Sequence, residues 1–331
     1  MSPVLVAVDG GNSKTDIALV ASNGTVLGTA RTAAGSYHAV GMETMIGNIE
    51  GGIREASVAG GIDPDDLDPA LGVYCLAGAD LPVDDRRLQQ VLGAAGIAQK
   101  TIVLNDAFAG LRAGSTTGWG ISLVCGAGMN CAGVGPTGHT VRFPALGALS
   151  GDEGGGGDLA VRALGAAVRG QDGRARRTSL ETLIPEHFSL RRPIDVVAAV
   201  HVGDVPHNAL LGLAPVVFAA AQEDDEVARE LVNWLADELV LMGASAIRRL
   251  RLARSAFEVV LVGSIWKTSD SGFHDRVRDG LLAVGPQAVL RPLAAPPVLG
   301  AALLGSDRLG LGPRAESRLR AQLTELHATK L

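Results

Sequence analysis

The sequence predicts an α/β protein of two similar lobes that face each other across a cleft. Three observations carry this. An apolar run from Val4 to Val8 ends at Asp9, gives way to Gly10-Gly11, and is followed by a second apolar run that starts at Ile17; strand, glycine turn, strand is a hairpin. Strands and helical segments then follow in the order βββαβαβα. At Gly120 the pattern starts again with an apolar run that ends in Cys125-Gly126-Ala127-Gly128 and resumes at Asn130. Repetition of a whole supersecondary unit argues more strongly than either copy, and 331 residues suit two domains.

The elements follow in order. After the first hairpin, Asn23-Gly24 is a turn signal and Thr25 to Thr32 reads as a strand. Ala34 to Gly41 is a short loop that contains Ser36, Tyr37 and His38. Met42 to Ala59 has helical apolar spacing and stops at Gly60-Gly61. Leu71 to Leu76 is a strand, Val83 to Ala95 a helix, Thr101 to Leu104 a strand, and Ala107 to Ala113 a helix after Asn105-Asp106. In the second copy, strands are expected at Gly120 to Val124, Asn130 to Val134 and Thr140 to Phe143. Five glycines between Gly151 and Gly157 disfavour helix and strand alike, so the next helix is expected to start near Asp158 and run to Val168. Arg169 to Arg192 reads as a mobile, Arg-rich surface insertion. Helices are expected at Ile194 to Val200, Ala209 to Ala221 and Glu223 to Arg251, a strand at Phe257 to Val262 before Gly263-Ser264, and a helix at Phe273 to Leu282. A short strand at Ala288 to Leu290, an apolar helix at Pro297 to Leu304 and a surface helix at Arg314 to His327 close the chain.

Asp9 to Asp16, DGGNSKTD, carries the chemistry. Glycines let backbone N–H groups approach a ligand closely, and a turn of bare amides attracts anions. Lys14 adds positive charge, and Asp9 at a strand end suits a metal ion, held directly or through water. The pattern points to a phosphate and Mg²⁺ site. It is not a Walker P-loop, because no Gly precedes Lys14-Thr15 and no helix follows; a Rossmann turn would likewise open a helix. Face-to-face glycine turns would let one phosphate chain lie between the lobes.

Composition excludes other classes. A net charge of −6 argues against a general nucleic-acid binder. No basic-then-apolar leader and no run of eighteen apolar residues is present, so a cytoplasmic location is expected, with no membrane partner. Cys75, Cys125 and Cys131 lie in or beside apolar runs without metal-ligand spacing and read as buried side chains.

Five ordered stretches, DGGNSKTD at Asp9, NDAFAG at Asn105, CGAGMNC at Cys125, SGDEG at Ser150 and VGSIWK at Val262, together resemble the BadF/BadG/BcrA/BcrD ATPase family within the actin-like sugar kinase and Hsp70 superfamily. The resemblance implies two actin-like (ribonuclease H-like) lobes. Residues 1–115 would form the first lobe and 116–310 the second, with a helical insertion over roughly 169–255, and 311–331 a last helix packing on the first lobe. It implies ATP and Mg²⁺, a small sugar substrate and a homodimer. Gly10, Gly11, Asn12, Ser13, Lys14 and Thr15 would be the first phosphate loop, and Gly126, Ala127 and Gly128 the second. Gly263 and Ser264 would lie near the adenosine. Asp106 would be the general base, Asn130 and Asp152 would hold sugar hydroxyls, and Ser36, Tyr37 and His38 would line the sugar side. The implied reaction is transfer of the γ-phosphoryl group of ATP to the 6-hydroxyl of an amino sugar.

Independently of the resemblance, phosphoryl transfer asks a protein mainly for positioning and charge neutralisation, which glycine turns and a strand-end carboxylate supply. Departures from the family pattern at Tyr37-His38, Ala127 and Met129 leave N-acetylglucosamine, glucosamine, another hexose and a cyclitol open as acceptors. Two other readings compete: an ATP-driven activator of a 2-hydroxyacyl-CoA dehydratase, which would need exposed thiolates for an Fe–S cluster, and a non-enzymatic nucleotide or sugar sensor.

Overall fold

A computed structural model describes residues 2–328. Residues 1 and 329–331, at the ends of the first and last predicted segments, lie outside the described residues. The first half runs β1 (Leu5–Gly10), β2 (Thr15–Val20), β3 (Val26–Thr32), α1 (Tyr37–Val40), α2 (Met42–Ala59), β4 (Leu71–Leu76), α3 (Pro82–Ala94), β5 (Thr101–Asn105) and α4 (Asp106–Gly114). Its five strands are ordered β3-β2-β1-β4-β5, with β1–β3 antiparallel and β4 and β5 parallel to β1.

The second half runs β6 (Gly120–Cys125), β7 (Met129–Val134), β8 (Thr140–Arg142), α5 (Gly155–Gln171), α6 (Leu180–His187), α7 (Pro193–Val202), α8 (Leu213–Gln222), α9 (Glu226–Arg249), β9 (Phe257–Val262), α10 (Ser271–Val284) and β10 (Ala288–Pro292). The sheet order β8-β7-β6-β9-β10 repeats that of the first sheet, strand for strand and direction for direction. The repeated unit in the sequence is therefore a repeated topology. The protein is an α/β fold of two lobes.

Three corrections to the expected elements have physical causes. The glycine run does not delay the next helix: α5 starts at Gly155 and includes three of those glycines. Its cost in backbone entropy is offset by contacts that only glycine permits, described below. Residues 169–192 are not a loose insertion. They complete α5 and form α6, whose Leu180 and Ile184 are fully buried, while the arginines pair locally: Arg174 with Asp172, Arg176 with Glu226 and Glu230, Arg177 with Glu181 and Arg192 with Asp195. The segment at Ser36 to Val40 is not a plain loop but the single helical turn of α1.

Helix α4 lies between the sheets. Gly110 meets Val262 and Gly114 meets Val260 of β9, so the bare face of α4 packs on the second sheet. The chain then returns. Helix α11 (Pro297–Leu309) buries Val298, Leu299 and Leu303 in one cluster with Leu5 of β1, and α12 (Pro313–Ala328) adds Leu319 and Leu323. Gly300 crosses α4 so closely that a Cβ there would lie 1.8 Å from the Ala109 carbonyl oxygen. Gln322 accepts a 2.8 Å hydrogen bond from the Val26 amide, which fixes α12 along β3.

Candidate active site

The two glycine turns sit at equivalent ends of β1 and β6, but they are held differently. In the first, the Gly11 amide donates to the Lys14 carbonyl at 2.9 Å and the Gly35 amide donates to the Gly11 carbonyl at 2.9 Å. The Thr15 hydroxyl, fully buried, donates to the Ala33 carbonyl at 2.7 Å. This leaves Asn12, Ser13 and Lys14 exposed at the tip. The Lys14 ammonium lies 3.5 Å from Asp16, which Arg31 already holds with two bonds at 2.6 and 3.0 Å.

In the second turn, the Gly126 amide donates to the Gly128 carbonyl at 2.9 Å. Behind it stands the start of α5. The Gly156 amide donates to the Gly126 carbonyl and the Gly157 amide to the Ala127 carbonyl, both at 2.8 Å. Gly155 has φ +82°, and a Cβ there would sit 2.5 Å from backbone atoms of Gly128. From the other side Gly263, with φ +113°, brings the end of β9 against Cys125, where a Cβ would lie 2.3 Å from the carbonyl oxygen. The dense glycines exist to let three backbones meet.

A cavity of about 710 Å³ joins the two turns: Ser13 comes from the first, Gly126 and Ala127 from the second, and Ser264 from the turn after β9. Its wall is apolar, with Ala214, Pro215 and Phe218 of α8, and its rim is polar, with Gln222, Lys267 and Ser269. Size, apolar wall and polar rim suit a nucleotide-sized ligand.

Asp106 is the first residue of α4. Its carboxylate is not spent as the N-cap, because Asn105 fills that role: the Asn105 side chain accepts from the Ala107 amide at 3.0 Å. Asp106 is half-buried. Burial pushes its carboxyl up to about 6, against a smaller opposing pull from backbone N–H bonds at Ala107 and Asp106. Asp9 is also raised well above the usual range, first by burial, then by the charges of Asp106 and Asp16. Asp9 and Asp106 are thus close enough to feel each other.

Sequence reasoning missed the third acid. Asp80, in the turn after β4, is pushed up to about 7, first by burial and then by Asp106 and Asp84. It accepts a 2.7 Å bond from the Asn105 side chain. Asn105 in turn accepts from Asn130 at 3.3 Å, so a chain of amides runs from Asp80 in the first lobe to β7 in the second.

The remaining predicted residues are placed as follows. Asn130 is buried, and its side-chain oxygen accepts from the Cys131 amide at 2.7 Å. Asp152 is buried and accepts from the Ala145 amide at 2.8 Å and the Ser150 hydroxyl at 2.5 Å, so it shapes its own loop. Tyr37 donates to Asp84 at 2.6 Å and stacks on His38 with ring centres 3.9 Å apart. Ser36 is fully buried, with no hydrogen-bond partner for its hydroxyl among the described residues. This loop packs on the turn that holds Asp80: a Cβ at Gly78 would meet His38 at 2.8 Å and the Ser36 hydroxyl at 3.4 Å. On the second lobe, Arg142 donates to the Ala79 carbonyl at 3.0 Å and pairs with Asp85, which ties β8 to the same turn.

Residues 6–305 match the BadF/BadG/BcrA/BcrD ATPase family. The chain belongs to that family. It is 27% identical over 311 residues to the N-acetyl-D-glucosamine kinase of Dictyostelium discoideum, covering 91% of this chain and 97% of that protein. It is 28% identical over 189 residues to the N-acetylmuramic acid/N-acetylglucosamine kinase of Clostridium acetobutylicum; that match covers 57% of this chain and 62% of the clostridial protein. Among solved structures, a putative N-acetylglucosamine kinase from Chromobacterium violaceum shares the fold with a TM-score of 0.70 and 23% identity, covering 92% of this chain and 99% of that one. The ROK hexokinase of Thermus thermophilus does so with a TM-score of 0.58 and 17% identity, covering 93% and 99%. Within this member of the BadF/BadG/BcrA/BcrD family, all three cysteines are free and buried, and burial pushes each thiol upward. They pack the strands and offer no exposed thiolate of the kind an Fe–S cluster needs. No helix among the described residues is long and apolar enough to cross a membrane.

Proposed function

We propose that this protein is an ATP-dependent amino-sugar kinase that transfers the γ-phosphoryl group of ATP to the 6-hydroxyl of N-acetylglucosamine. Its curated relatives are named as kinases of N-acetylglucosamine, one of them of N-acetylmuramic acid as well. The observation that carries the reading is Asp106. It is a half-buried carboxylate freed from capping by Asn105, with a pKa near 6, in the same cleft region as Asp9.

The geometry supports these roles. Gly10 to Thr15 and Gly126 to Gly128 form the two phosphate loops, with the tip amides of Asn12, Ser13, Lys14, Ala127 and Gly128 turned to the phosphates, and the cavity between Ser13, Ala127 and Ser264 takes the nucleoside. Asp106 accepts the proton of the sugar hydroxyl as the new O–P bond forms, help that is typically worth about 10²- to 10⁴-fold. Asp80, Asn105 and Asn130 face the sugar and align it, with Asp152, Ser36, Tyr37 and His38 around them. The donor set also fits Mg²⁺. Asp9 is a hard oxygen ligand crowded by two other carboxylates, and among the described residues no group of three His, Cys, Asp or Glu side chains forms a protein cage. Mg²⁺ commonly binds through one carboxylate, water and substrate phosphates. When bound it would neutralise phosphate charge, with Asp9 holding it directly or through water.

The same proposal divides the chain between α4 and β6, with a helical insertion over roughly residues 169–255 in the second lobe and α12 returning to the first. A homodimer is the assembly that the family resemblance implies. The test is ADP release from ATP with a panel of N-acetylglucosamine, glucosamine and a cyclitol. Sugar-dependent release supports a kinase, and the best acceptor names the substrate. Slow release regardless of sugar would favour the activator reading, and no release the sensor.

A further inference from the structure

The nucleotide-sized cavity is not the molecule's largest. A second one, of about 790 Å³, opens on the far face of α4 and is lined from both lobes. Phe108 and Arg112 of α4 and Leu304 and Arg308 of α11 form one wall; Thr140 and Arg142 of β8 and Arg249 at the end of α9 form the other. None of Asp9, Asp80, Asp106, Asn130 or Asp152 lines it.

Its charge runs against that of the protein. Four arginines (112, 142, 249 and 308) face two aspartates (85 and 307) in a chain of net charge −6. Two of the four are neutralised: Arg112 by Asp307 and Glu316, and Arg142 by Asp85. The other two are not. Arg308 forms no ion pair among the described residues, and Arg249 forms none either, its guanidinium lying over the Phe143 ring 5.1 Å from the centre. Guanidinium forks with no carboxylate partner, aimed at one cavity, are the usual protein half of phosphate recognition. Thr117 and Thr140 add hydroxyls, and Phe108, Val141 and Leu304 add an apolar floor. An inorganic anion would use the guanidinium groups and leave the rest idle. A sugar ring with its phosphate would use all three surfaces.

We propose that this cavity binds a phosphorylated sugar at a site separate from the reaction centre, with Arg249 and Arg308 taking the phosphate. The occupant would touch α4, whose first residue is Asp106, and β8, whose Arg142 reaches the Ala79 carbonyl. The inference stands on these residues and does not depend on which sugar the kinase accepts.

The experiment is calorimetric titration of the full-length protein with glucose 6-phosphate, and separately with inorganic phosphate. It is repeated on an Arg249→Gln/Arg308→Gln double variant; both side chains are exposed, so the fold is retained. The expected result is one site for glucose 6-phosphate, weakened about tenfold or more in the double variant, in line with loss of charge-assisted bonds, and weaker binding of inorganic phosphate. Equal affinity in the double variant would assign the binding to the reaction centre and overturn the proposal. So would the absence of binding, or inorganic phosphate binding as tightly as the sugar phosphate.

Discussion

The two glycine turns are the same piece of topology built for different work. The first is a side-chain site. Its flanks carry Asp9, Lys14 and Asp16, and its backbone is pinned mostly from nearby in the chain, by Lys14, Ala33 and Gly35. The second has no charged side chain. It is a surface of amides held in shape by two distant glycine contacts, from α5 and from the end of β9. The repeated topology gives two equivalent positions, and the charge stands at one and the rigid backbone at the other. The first turn should therefore be sensitive to changes of charge and the second to changes of volume.

The largest effect is expected on the charged side. Asp106→Asn should lower turnover by about 10²- to 10⁴-fold while ATP still binds, since general-base help is of that size. Turnover near that of the wild type would remove Asp106 from the role. The same variant should melt at a higher temperature at neutral pH. The folded carboxyl titrates near 6, above the roughly 3.9 of an unfolded chain, so its ionised form costs stability above pH 6 and that cost vanishes as the pH falls below about 4. Removing the charge removes the cost. Activity and stability should thus move in opposite directions, and a variant that lost both would point to a structural role. In the wild type, kcat/KM should fall as the pH drops through about 6, because only the ionised carboxylate accepts a proton.

On the backbone side, Gly155→Ala is the sharpest break. The new Cβ would have to occupy a point 2.5 Å from the Gly128 backbone, and at φ +82°. Neither atom belongs to a flexible side chain, so the second turn must shift. A rise in the KM for ATP of about tenfold or more is expected, together with a loss of stability of about 1–3 kcal/mol, from strain of the kind stored at special backbone positions. An unchanged KM for ATP would mean that the second turn does not meet the phosphates.

The contrast also explains what the sequence made legible. Strand runs with apolar residues, such as Leu71–Leu76 and Phe257–Val262, were read to the residue, because buried strands state their own pattern locally. The charged turn was equally plain: Asp9, Lys14 and the glycines lie within six residues. The start of α5 was misread because Gly154 to Gly157 argue against helix on propensity, and what overrides propensity is contact with Gly126 to Gly128, some thirty residues away in the chain. The order in residues 169–192 was hidden for a similar reason, since Arg176 finds its acids only in α9. Asp80 gave no local sign either; its bond to Asn105 exists only once β4 and β5 are paired.

The smallest effect sharpens the comparison most. A Cβ added at Gly126 has nothing within 4 Å, so Gly126→Ala asks nothing of the fold itself. Its stability should stay within about 0.5 kcal/mol of the wild type, as for ordinary substitutions away from packed features. The methyl group would nonetheless stand on the surface that a phosphate must approach, so affinity for ATP should fall while the melting temperature does not move. Titration calorimetry beside thermal melts of the same sample checks both. If affinity and melting temperature fell together, Gly126 would be a folding glycine like Gly155; if neither changed, the bare amides of the second turn would not be in contact with the nucleotide.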